Sequence, residues 1–118
     1  MAGIITIADG QDWYVSNWVY WNLMDQVLEM VAGEPAVAHF VEVSKWNHGL
    51  DIPEMLKEET EIAGPVLCAL NNAAQRCSEG SVTAKVDGRV LDDESQRQFR
   101  ETTGELVAML LSPPNATK

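Results

Sequence analysis

At 118 residues the chain has the size of one domain, and its 46% hydrophobic content argues against intrinsic disorder despite a net charge of −10. That charge disfavours direct nucleic-acid binding, because neutralising phosphates requires clustered Lys and Arg. No membrane span is expected, since the longest charge-free stretch of the aromatic-rich segment, residues 13–24, is short and contains Ser16, Asn17 and Asn22.

The chain opens with a strand-like run that ends at an Asp-Gly pair, residues 9 and 10. Ile4 to Ala8, Asp9-Gly10 and Gln11 to Val15 predict a β-hairpin with a two-residue type I′ turn. In that register Ile4 and Thr6 share a face with Trp13 and Val15, and Ile5 and Ile7 share the other with Tyr14. Ser16 is positioned to cap a helix running to Ala32, with Gly33 ending it. Its polar residues, Asn22, Asp25, Gln26 and Glu29, form one narrow stripe, which predicts a helix central to the core or covered by a partner chain.

Glu34-Pro35 opens a second helix that runs to Trp46, although Phe40 to Lys45 also reads as a strand. Asn47-His48-Gly49 is the expected stop. Asp51 and Glu54 form a capping box for a third helix with Ile52, Met55, Leu56 and Ile62 facing inward, broken or kinked at Gly64-Pro65. A fourth, Val66 to Ser78, buries Val66, Leu70, Ala73 and Cys77. Val82 to Val86, Asp87-Gly88 and Arg89 to Leu91 predict a second hairpin. Asp93 with Gln96 then caps a last helix, Glu94 to Leu111, with Phe99, Leu106, Leu110 and Leu111 inward.

The expected fold is α+β: a small antiparallel sheet of about four strands, made by joining the two Asp-Gly hairpins and packed by four or five helices. Residues 1–111 form the domain, and the Pro-containing stretch 112–118 is expected to be a flexible tail. The amino-terminal MAGIITIADG lacks the features of a secretory signal, so a cytoplasmic location is expected and the sequon at Asn115 has no use there.

The candidate chemistry is sparse. Cys68 and Cys77 lie nine residues apart on one helix, about 180° apart around its axis and ~13.5 Å along it, so they neither bond to each other nor share a metal. His39 and Glu42 lack a third converging group, and both His39 and His48 read as solvated surface residues. Glycine-rich phosphate loops and a nucleophile elbow are absent from the sequence. No metal, cofactor or catalytic residue is expected.

Two anomalies remain. Trp13, Tyr14, Trp18, Tyr20 and Trp21 are five of the eight aromatic residues and fall within nine positions. Most of them suit a core, but Trp18 and Tyr20 are candidate interface anchors. Acidity is also uneven: residues 1–70 hold eleven acids against two lysines, and the other 48 are almost neutral. Its most ordered part is a stripe at Asp51, Glu54, Glu58 and Glu61, where like charges repel by a few tenths of a kcal/mol per pair. Together these features suggest a non-enzymatic acidic module that binds a basic protein, of the immunity-protein or antitoxin kind, with a toxin, such as a nuclease, as partner. The alternatives are an acidic chaperone for a secreted effector, dimeric through the Trp-rich first helix, and a small enzyme or ligand-binding domain.

Overall fold

The apolar residues at Ile5, Ile7, Trp13 and Val15 all face the same way, and that common face founds the core. The computed structural model describes residues 2–111, so the expected tail and its sequon lie outside the described residues. Strands β1 (Ala2–Ala8) and β2 (Gln11–Ser16) pair antiparallel on either side of Asp9-Gly10. The register differs from the expected one. Ala8 pairs with Gln11 but Thr6 pairs with Asp12, so Ile7 is an extra residue in its strand. Such a bulge shifts the pairing by one and turns every later side chain to the other face. Trp13 and Val15 therefore join Ile5 and Ile7 inside, while Tyr14 lies outside opposite Ile4. Only Gly10 of the turn pair has a positive φ, so the turn is not the expected type I′.

The chain continues through α1 (Asn17–Met30), α2 (Pro35–Trp46), a third strand β3 (Gly49–Asp51), α3 (Ile52–Glu58) and α4 (Ala63–Ser78). The short pair β4 (Lys85–Val86) and β5 (Arg89–Val90) precedes α5 (Asp93–Leu111). The protein is thus helix-rich, with a three-stranded sheet and a separate two-stranded one among the described residues. The expected joining of two hairpins does not occur. The main sheet has the order β2-β1-β3, and β3 runs parallel to β1.

Residues 40–45 are helical, and β3 follows from the way α2 ends. His48 adopts φ 61, the left-handed conformation that stops a helix, and its carbonyl then accepts from Ile4 N at 3.1 Å, so the helix stop runs straight into the strand. α3 stops at Glu58, earlier than expected, where three further residues of turn follow among the glutamates. Gly64-Pro65 does not break a helix but lies in the first turn of α4, where the missing N–H costs nothing. Leu56, expected inside, is exposed on this short α3, and Leu111 is exposed at the end of α5.

The second turn is different in kind: Asp87 and Gly88 both have positive φ. Its strands are two residues long, too short to stand alone, and side-chain amides hold them. Gln96 Oε1 accepts from Ala84 N at 2.8 Å, and its Nε2 donates to Ala84 O and Leu91 O. Asn22 treats Lys85 likewise, accepting from its N and donating to its O, both at 2.9 Å. Gln96 is therefore not a capping partner of Asp93; the cap of α5 is Asp92, whose Oδ1 accepts from Ser95 N at 2.8 Å. These bonds to Ser95 hold the Asp92 carboxyl below the usual range.

α1 occupies the centre, packed on β1, β2, α2, α4 and α5. Its placement rests on Tyr20. A Cβ at Gly3 of β1 would lie 2.2 Å from both Cβ and Cγ of Tyr20, so glycine alone lets the helix come this close. The phenol donates to Ser44 O at 2.7 Å, in the last turn of α2. That carbonyl needs an outside donor, because His48 N bonds Lys45 O instead.

Two substitutions test this contact. Gly3→Ala is expected to destabilise the fold by about 3 kcal/mol, since the helix must move to relieve the overlap. Tyr20→Phe is expected to cost about 1–2 kcal/mol by leaving a buried carbonyl unpaired. Urea unfolding midpoints measure both, and a Gly3→Ala variant as stable as the parent would show that α1 is not held here.

Candidate functional site

The acidic residues and the apolar surface meet in one groove. Its floor is the outer face of β1, at Ile4 and Thr6, and its walls are the last turns of α2, the strand β3 and the helix α3. It encloses about 490 Å³ and its apolar lining is Phe40, Val43, Leu50 and Met55. Asp51, Glu54, Glu58 and Glu59 line the same groove, and no Lys or Arg is among its lining residues. The helix α3 places these carboxylates because Asp51 caps it, its Oδ1 accepting from Glu54 N at 3.0 Å. Val43 stays 42% exposed, an unusual position for a valine beside an apolar floor.

Of the acids expected to act together, the structure brings together Asp51, Glu54 and Glu58 and adds Glu59. Glu61 does not belong to the set. It lies in the turn after α3 ends, so the expected four-residue stripe is cut short by the helix terminus.

The aromatic anchors need correction as well. Tyr20 is fully buried and hydrogen-bonded, which removes it from any contact with a partner. Burial pushes its phenol well above the usual range. Trp18 is half-buried, 6.2 Å from Phe99, and lines a second groove against the β4–β5 hairpin. On α1, Asp25 and Glu29 are exposed, while Trp18, Trp21, Leu28 and Met30 are partly buried.

Tyr14 is exposed on β2, and an exposed aromatic cluster lies at the end of α2. Trp46 is 57% exposed, and its ring meets Trp21 edge-on at 5.0 Å between centroids and 73° between planes. His48 stacks on the other side of Trp21 at 5.8 Å and 15°, and its Nδ1 is 2.6 Å from Asn17 Oδ1. His48 is thus half-buried and bridging, not the free surface residue expected. Lys45 Nζ lies 5.1 Å from the Trp21 centroid, 5.4 Å from that of Trp46 and 2.6 Å from Asp25 Oδ1. His48 also lines the acidic groove, whereas Trp21 and Asp25 line the second groove, against the β4–β5 hairpin.

Among the described residues no three His, Cys, Asp or Glu side chains converge as a metal site, and no helix is long and apolar enough to cross a membrane. His39 is exposed on α2. No family model, no curated protein and no solved structure matches the chain.

The two cysteines sit in opposite environments. Cys68 is exposed, whereas Cys77 is completely buried and burial pushes its thiol up to about 12. At pH 8 one equivalent of a disulfide reagent is expected to react quickly, at Cys68, and the second only on unfolding. Both the Cys77 thiol and the Tyr20 phenol hold protons in the native state that the unfolded chain releases. Their contribution to stability is therefore intact below about pH 8.5 and is lost as the pH rises towards 12. Two rapidly reacting thiols in the native protein would contradict this.

Proposed function

We propose that the chain is a non-enzymatic binding module that holds a basic, amphipathic segment of a protein partner in the α2–β3–α3 groove. In this role it acts as an immunity protein or antitoxin does toward a basic toxin, covering the positive surface on which the toxin depends. The supporting observation is the make-up of the groove: Phe40 and Val43, with the buried Leu50 and Met55 beneath, line it together with four carboxylates and no Lys or Arg. An amphipathic segment with Lys or Arg along one side satisfies both kinds of lining at once. The carboxylates speed the encounter and select its sign, while the apolar lining supplies the burial that retains the segment. A dimeric chaperone built on α1 has less support, since that helix turns its apolar residues inward.

The test is the double charge reversal Glu54→Lys/Glu58→Lys, at two exposed positions away from the core. A basic protein retained by the parent at low salt and released at high salt is expected to bind the variant at least ten-fold more weakly, with an unchanged circular dichroism spectrum. Equal affinities, measured calorimetrically at matched salt, would return α3 to being an ordinary wet helix face.

A further inference from the structure

The Trp21–Trp46 cluster has the composition of a cation site. Two indoles meet edge to face, the Lys45 ammonium lies within 5.1 and 5.4 Å of their centroids, and the Asp25 carboxylate pairs with it. Tryptophan is the aromatic ring with the strongest attraction for a cation. At position 21 it comes at a cost, because the indole Nε1–H is buried without an acceptor among the described residues. The N–H thus contributes no hydrogen bond here, and what the ring offers to the cluster is its packing and its face. Trp46 is more than half exposed and leaves the site open on one side.

We propose that Trp21, Trp46 and Asp25 form a recognition site for the guanidinium of an arginine on a protein partner, and that Lys45 occupies it in the free protein. The geometry that holds Lys45 suits arginine better. A guanidinium is flat and stacks on an indole, and its fork pairs with both oxygens of a carboxylate, whereas an ammonium is a point charge with a stronger hold on water. Asp25 is 54% exposed and accessible to such a fork. The Lys45 side chain is 16% exposed, so an arriving guanidinium has to displace a largely covered ammonium, and Lys45 holds the site closed in the free protein. The site rests on the chain being a binding module; Trp21 and Asp25 line the groove against the β4–β5 hairpin, and His48, stacked on Trp21, is its link to the acidic groove.

The experiment uses an acetylated and amidated Gly-Arg-Gly peptide, its citrulline counterpart as the neutral isostere, and tryptophan fluorescence of the full chain. Lys45→Ala vacates the site and is expected to bind the arginine peptide at least ten-fold more tightly than the parent, with no response to the citrulline peptide. Lys45→Met, which keeps the apolar stem, is expected to show the same gain, so a folding defect in one variant does not decide the matter. Adding Trp46→Ala or Asp25→Asn is expected to abolish the gain, while adding Glu54→Lys/Glu58→Lys is expected to leave it. No saturable response in either Lys45 variant would overturn the site. So would equal binding of citrulline, or a gain that survives Trp46→Ala and vanishes with the groove reversal. The last outcome would place the arginine in the groove and leave the binding module standing.

Discussion

The close seating of Tyr20 against Gly3 decides where everything else goes. A helix normally rests on a sheet at a distance set by the side chains between them, and glycine removes one of those side chains where α1 crosses β1. The ring fills the space and its hydroxyl reaches the otherwise unserved carbonyl of Ser44. One residue thus ties the sheet to α1 and α1 to the end of α2. From that end the chain turns through His48 into β3, which adds to β1 and starts α3. The groove, its carboxylates and the aromatic cluster all descend from the fixed end of α2.

This dependence gives the surface its character. The core takes Trp13 and Tyr20 and half-covers Trp18, leaving Trp46, a residue remote from the amino-terminal aromatic run, as the exposed indole. Acidity is similarly sorted. Carboxylates at Asp51, Glu54, Glu58 and Glu59 collect in one groove, whereas Glu94 and Glu101 on α5 are matched by Arg97 between them, which holds the Glu94 carboxyl below its usual range. The acids of the groove have no ion-pair partner among the described residues.

Much of this architecture is legible in the residues. The helical periods, the Pro at the start of α2, the Asp51 cap and the left-handed Gly10, Asp87 and Gly88 are local features with local causes. What is not legible depends on partners distant in the chain. β3 is three residues long with no alternation to announce it, and it is a strand only because β1 is there to pair with it. The bulge at Ile7 is equally silent, yet it reverses the two faces of the hairpin; the apolar residues on both faces of the sequence left either register plausible. The acids of α3 stand out as a stripe, but their apolar counterparts come from residues 4 to 55 and assemble only in three dimensions. Lys45 and Trp46 read as a helix end until Trp21 and Asp25 are placed beside them.

The way Asn22 and Gln96 hold the second hairpin has a further consequence. Each amide stands in for a strand that the sequence does not supply, and each belongs to a different helix, α1 or α5. The adjacent residues Lys85 and Ala84 are thereby a clasp between two helices that lie far apart in the chain. Clasps of this sort fail as a unit: once the amides let go, strands of two residues have no reason to persist. The hairpin is therefore answerable to α1 and α5 together, and a change that shifts either helix reaches it through a single amide.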